Sequence, residues 1–147
     1  MTWMDIAIQK AEEASAQGEV PVGAVLVNEG GVIAAAGNRV IHTKDACAHA
    51  ELLVLRQAMQ IQGTLYLENC DLYVTLEPCA MCAGAIAWAR LRRLYFGAYD
   101  PKSGGVEHGA RVFDHSTCHH RPEIIGGVQE NLCAALLQDF FQQRRSS

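Results

Sequence analysis

The chain has 147 residues, a length that fits one globular domain; half the residues are apolar and 19% are charged, slightly under the ordinary fraction of about a quarter. No run reaches the roughly 18 consecutive apolar residues of a membrane span, and the N-terminus lacks the basic start and apolar stretch of a secretory signal. These exclusions point to a single cytoplasmic domain, residues 1–147, with no membrane partner, whose six cysteines stay reduced and serve metal binding or burial. The net charge of −4 weighs against general attraction to nucleic acid, yet the charge is unevenly placed. Residues 1–89 hold 4 basic and 10 acidic side chains, whereas residues 90–147 hold 8 basic and 6 acidic ones. That asymmetry points to an anionic partner met locally by the C-terminal part.

In chain order, residues 3–17 carry Trp3, Ile6, Ala7, Ala11 and Ala14 at helical spacing, and Gly18 follows where a helix would end. Two apolar, β-branched runs, 22–27 and 32–36, flank Asn28-Glu29-Gly30-Gly31, which is turn chemistry, so they read as a hairpin. Residues 49–61 read as a helix with Leu52, Leu53, Leu55, Ala58 and Met59 on its apolar side. A short strand follows at 72–76, then Pro78 stands where a helix would begin, and an alanine-rich helix runs from about Cys79 to Arg90. Residues 94–97 are a strand, 98–110 a loop, 110–114 a short helix and 124–125 a brief strand. The last helix spans 129–144, with Leu132, Leu136, Leu137 and Phe140 on one side. Strands alternating with helices predict a mixed sheet covered by helices.

Two short segments carry chemistry: His49-Ala50-Glu51 and Pro78-Cys79-Ala80-Met81-Cys82. Cysteines three apart at a helix start share a face, and the positive end of that helix favours their thiolates. His49 and Glu51, two apart, share no helical face; both reach one place only where their helix begins and the place lies off its end. One imidazole and two thiolates leave a fourth zinc position open, the pattern of a catalytic zinc. Zinc lowers the pKa of a bound water. Two thiolates offset the metal's charge, so a nearby base must help, and Glu51 stands where it can take that proton. A fourth protein ligand from Cys118, His119 or His120 would instead make the zinc structural. Cys47, Cys70 and Cys133 read as small apolar residues.

These segments resemble the zinc-dependent cytidine and deoxycytidylate deaminase superfamily, whose signature and chemistry are established. Within it, the chain is similar over nearly its whole length to bacterial tRNA-specific adenosine deaminases. The resemblance is carried by Glu19 to Val25, Asn38-Arg39, Ala48 to Glu51, Tyr73 to Ile86, Phe96-Gly97-Ala98, Asp100 to Gly104, and Leu136 to Phe141. It departs at Cys47 and is less typical from Val106 to Arg111. It implies a three-layer α/β/α sandwich with a five-stranded mixed sheet, a homodimer, and one Zn2+ per chain on His49, Cys79 and Cys82. The implied reaction converts adenosine to inosine at the first anticodon position of tRNA, with attack at C6 and Glu51 relaying protons. Asn38 is implied to hydrogen-bond the base. Two rivals stand beside this: a zinc deaminase of a free base or nucleoside, and a non-catalytic zinc-stabilised subunit, which would be expected to lack Glu51.

Flipping a loop base out of its stack costs a few kcal/mol, so RNA contacts outside the zinc pocket are expected. The candidates are Lys102, Arg121, Phe140, Phe141, Arg144 and Arg145, cations for phosphate and aromatics for stacking. Asp100 is a candidate acceptor for a ribose 2′-OH. Adjacent phenylalanines lie about 100° apart on a helix, so one of Phe140 and Phe141 can be core and the other available.

Overall fold

The computed structural model describes residues 1–145. Helix α1 spans Trp3–Ala16, strands β1 and β2 span Gly23–Asn28 and Gly31–Gly37, and a one-turn helix α2 spans Val40–Thr43. Then come α3 (Ala50–Gln62), β3 (Asp71–Leu76), α4 (Ala80–Trp88), β4 (Arg93–Ala98), a 3-10 turn at Val112–Asp114, β5 (Glu123–Ile125) and α5 (Glu130–Arg145). The five strands form one sheet in the order β2-β1-β3-β4-β5. The pairs β1–β2 and β1–β3 are antiparallel; β3–β4 and β4–β5 are parallel.

Strand periodicity sorts the core into two halves. Ala24, Leu26, Leu72, Val74, Leu94 and Phe96 point to one face, where α3 and α4 contribute Val54, Leu55 and Ile86. Val25 and Val27 point to the other, against Met4, Ala7 and Ile8 of α1 and Cys133 of α5, and Ala98 joins this half from the end of β4. Successive strand residues alternate faces, so β1, covered on both, is apolar from Ala24 to Val27. The expected three-layer α/β/α sandwich with a five-stranded mixed sheet is the observed architecture. Helix α1 lies so close to the hairpin that a Cβ at Gly23 would collide with the Ala7 carbonyl.

Every expected element is present, with ends moved by a residue or two. The differences have physical causes. Pro78 stands ahead of the α4 N-cap, Cys79, rather than inside the first turn. That helix stops at Trp88, with Arg90 left-handed and its guanidinium 4.1 Å above the Tyr66 ring. The buried stripe of α1 is Met4, Ala7, Ile8, Ala11 and Ala14, which leaves Trp3 partly in solvent. On α5 the stripe runs through Cys133, Leu137 and Phe140, and Leu132 is exposed. Cys47 is exposed, whereas Cys70 and Cys133 are buried as expected. Helix α2 has no apolar stripe that sequence could reveal; none of its residues is buried.

Candidate active site

His49 is the N-cap of α3 and Cys79 the N-cap of α4; both have extended backbones, so their side chains project off helix starts. Cys82 lies in the first turn of α4, and Glu51 in the first turn of α3. The two helix starts converge. His49 Nδ1 stands 3.7 Å from Cys79 Sγ and 3.6 Å from Cys82 Sγ. For ligands at ordinary zinc bond lengths, a tetrahedral N···S edge is roughly 3.5 Å. Among the described residues, His49, Cys79 and Cys82 form the one group able to hold a metal ion, with ligand atoms within 4.8 Å of one another.

The electrostatics fit a cation. The Cys82 thiol hydrogen-bonds the Cys79 sulfur, which pulls Cys79 well below the usual thiol range and pushes Cys82 above it. A cation bound between them favours both thiolates and removes that competition. The hydrogen bond to Cys79 likewise raises His49. Glu51 is 4% exposed, and its Oε1 is buried with no hydrogen-bond partner. A buried, unsatisfied carboxylate oxygen is costly, and one beside a metal-ligand cluster is placed to meet a ligand of that metal. Burial pushes the Glu51 carboxyl up to about 7. The donor set, its spacing and this orphaned oxygen all suit zinc with an open coordination position.

Cys118, His119 and His120 take no part in the cluster. The Cys118 thiol bonds the His120 carbonyl, and His120 Nε2 bonds the Leu91 carbonyl. All three line a separate cavity of about 530 Å³ that also includes Trp88 and Tyr66.

A pocket of about 380 Å³ opens over His49, Glu51 and Cys79, walled by Asn38, Val40, Ile41, Leu76, Asp100 and Ser103. Asn38 Oδ1 accepts the Ala50 N–H at 2.8 Å, so this side chain also holds the start of α3. Asp100 Oδ1 accepts the N–H groups of Lys102 at 3.2 Å and Ser103 at 3.0 Å. A second groove, about 580 Å³, is lined by Tyr99, Lys102, Leu137, Phe141, Arg144 and Arg145. Val20, Leu76, Asp100 and Ser103 line both cavities, so the groove runs into the pocket.

The expected site residues therefore divide. His49, Cys79, Cys82, Glu51, Asn38 and Asp100 come together, and Lys102, Phe141, Arg144 and Arg145 line the adjoining groove. Phe140 is buried under Arg144, while Phe141 is 43% exposed. Arg121 lines neither cavity and is paired with Asp114.

Two residues escaped sequence reasoning. Glu19, 1% exposed, accepts the N–H groups of Ile41 and His42 and the His42 ring, holding α2 against the pocket. Glu77, 2% exposed, gathers the loop after β4. The one available signal was a glutamate inside, or directly beside, an apolar stretch where burial is expected.

Residues 1–98 match the family described as the cytidine and deoxycytidylate deaminase zinc-binding region. The tRNA-specific adenosine deaminase of Agrobacterium fabrum is 50% identical over 143 residues, covering 97% of this chain and 94% of that protein. That of Bacillus subtilis is 43% identical, covering 97% and 89%. A solved structure from a study of A-to-I editing by tRNA:A34 deaminases superposes with a TM-score of 0.90 at 51% identity, covering 92% of this chain and 98% of that one. A guanine deaminase from Bacillus subtilis superposes with a TM-score of 0.66 at 30% identity, covering 99% and 92%. The chain belongs to the zinc-dependent cytidine and deoxycytidylate deaminase family, among relatives named tRNA-specific adenosine deaminases.

Proposed function

We infer that this chain hydrolyses the exocyclic amine of adenosine at the first anticodon position of tRNA, giving inosine and ammonia. The observation that carries the reading is the continuity of the His49/Cys79/Glu51 pocket with a groove lined by three cations and two exposed aromatics. A free base needs the pocket alone. A flipped base on an RNA loop also needs the groove, because contacts there offset the cost of unstacking.

Zinc, held by His49, Cys79 and Cys82 at one ion per chain, supplies a Lewis acid that makes water acidic near neutral pH. Glu51 Oε1, buried and without another partner, takes the proton of the attacking water and passes it to the ring nitrogen. It then takes the remaining proton from the new C6 hydroxyl and delivers it to the amine, so that the C6–N bond breaks, the C6 carbonyl of inosine forms and ammonia leaves. A carboxyl whose burial raises it to about 7 both accepts and donates at neutral pH. The presence of Glu51 also disfavours a non-catalytic zinc subunit. Asn38 Oδ1 is engaged by Ala50, which leaves Nδ2 as the group that can donate to an acceptor on the base. In the groove, Lys102, Arg144 and Arg145 are read as phosphate contacts, Phe141 as a stacking surface, and Asp100 as the ribose acceptor through its second carboxylate oxygen.

We read the chain as one cytoplasmic deaminase domain that pairs as a homodimer. No helix among the described residues is long and apolar enough to cross a membrane. Support for pairing comes from α4, which has no charged residue from Ala80 to Ala89 yet leaves Met81 38% and Trp88 81% exposed. A helix apolar all round is normally covered, and exposed aromatics and methionines mark interfaces.

The guanine deaminase relative favours a second reading, a free-base deaminase. Competition separates the two. An anticodon stem-loop bearing adenosine should yield inosine at nanomolar to micromolar protein, while guanine, cytosine and cytidine stay unchanged. Turnover of a free base with an inert stem-loop would reverse the assignment.

A further inference from the structure

We propose that Glu77 is a positioning residue: one buried carboxylate holds the segment from Asp100 to His108 as the outer wall of the substrate pocket. Glu77 Oε1 accepts the Asp100 N–H at 3.1 Å and the His108 ring Nδ1–H at 2.8 Å. Its Oε2 accepts the N–H groups of Val106 at 3.1 Å, Glu107 at 2.9 Å and His108 at 3.1 Å. Five donors thus converge on a group with about four lone-pair sites, and they come from both ends of the segment.

The segment needs such an anchor. It contains no helix or strand, so its N–H groups lack ladder partners. It also crosses the chemistry: Asp100 and Ser103 line both the catalytic pocket and the outer groove, and Glu77 itself lines the pocket. Near its middle, Gly105 donates to the Pro78 carbonyl at 2.8 Å and lies against the backbone of Cys79 and Ala80. A charged acceptor makes stronger hydrogen bonds than a neutral one, and at this burial it does not exchange them for water. The wall is therefore set by one side chain, at a fixed distance from the metal-ligand helix. Loosening it should weaken capture of an extended substrate more than the chemistry itself. That link to substrate rests on the proposed RNA reading; the link to the wall does not.

The test uses zinc-loaded E77Q and E77D. Glutamine keeps the size but replaces one accepting oxygen with an NH2 group, so either the three backbone donors or the Asp100/His108 pair loses its acceptor. E77Q should retain zinc, raise KM for an anticodon stem-loop about tenfold or more, and lower kcat by less. Tenfold is the scale of one charge-assisted hydrogen bond. Amide exchange at residues 100–108 should rise by a similar factor, while β3 and α4 stay protected. E77D, which keeps both oxygens, should recover part of each effect. Unchanged exchange at 100–108 in E77Q overturns the proposal. So does loss of zinc and kcat with that segment still protected, because Glu77 would then act on the metal site. If E77Q fails to fold, H108A replaces it: removing one donor should raise exchange over 100–108, and wild-type exchange there overturns the clamp. A wild-type protein inert toward the stem-loop, with exchange rising in E77Q, would refute the RNA reading and leave the clamp standing.

Discussion

At the residue scale, the cluster makes distinct demands on its members. Cys79→Ala removes a proposed ligand, so it should lose zinc and stability together. Where zinc exceeds its Kd a thousandfold, the metal-linked share is about 4 kcal/mol, read as a fall in melting temperature that added zinc does not restore. A variant that keeps full zinc content would remove Cys79 from the ligand set. Glu19 makes a separate prediction. Burial acts to raise its pKa, but hydrogen bonds from the His42 ring and from the His42 and Ile41 N–H groups outweigh that and hold it below the ordinary 4.5. A folded value below the unfolded one means the carboxylate contributes stability above 4.5 and loses it as pH falls through the lower, folded value. Glu19→Gln should therefore cost about 1–3 kcal/mol at neutral pH, the scale of an unsatisfied buried donor. The gap from wild type should close as the pH drops under 4.5. Parallel stability curves down to strong acid would show that this carboxylate does not stabilise α2.

At the scale of elements, the C-terminal helix is docked on the chain and, in the proposed reading, also meets RNA. Arg144 donates to the Gly18 carbonyl at 2.6 Å and covers the Phe140 ring at 4.6 Å, so it docks α5 on the chain after α1. A double Arg144→Ala, Arg145→Ala variant thus mixes lost docking with lost RNA contact, and its melting temperature should fall. Lys102→Ala with Arg145→Ala is the cleaner probe, since both are exposed in the groove. It should leave the melting temperature within about 1 °C and reduce the salt slope of RNA binding by about 1.4, at about 0.7 per lost phosphate contact on a single strand. An unchanged slope would take the groove off the RNA path. Periodicity made these elements legible because amphipathic faces repeat at 3.6 or 2 residues. The clustering of His49, Cys79 and Cys82 was legible because metal chemistry fixes residue types and helix starts fix their spacing. Glu19, Glu77 and α2 were not, since each depends on contacts between segments far apart in sequence: 23 residues separate His42 from Glu19, and 31 separate His108 from Glu77. Arg121 lies apart from the groove for the complementary reason: a surface charge in sequence says nothing of the face it lies on, and here it pairs with Asp114.

At the scale of the molecule, two features divide the labour. The sheet brings β3 and the starts of α3 and α4 to one end, where the pocket and groove meet. The outer side of α4, with Trp88 at 81% exposure, is the face the proposed homodimer would cover. Trp88→Glu should convert a dimer to a monomer in sedimentation at micromolar protein with little loss of monomer stability, and an unmoved sedimentation coefficient would place the interface elsewhere. The central claim is that His49, Cys79 and Cys82 with Glu51 form a hydrolytic adenosine deaminase centre. It is tested most directly by inosine formation in an anticodon stem-loop, wild type against Glu51→Gln, at matched zinc content. The wild type should convert the first anticodon adenosine, and the variant, still zinc-loaded and folded, should be slower by about 10²–10⁴-fold or more. Equal rates in the two proteins, or no inosine from either, would contradict it.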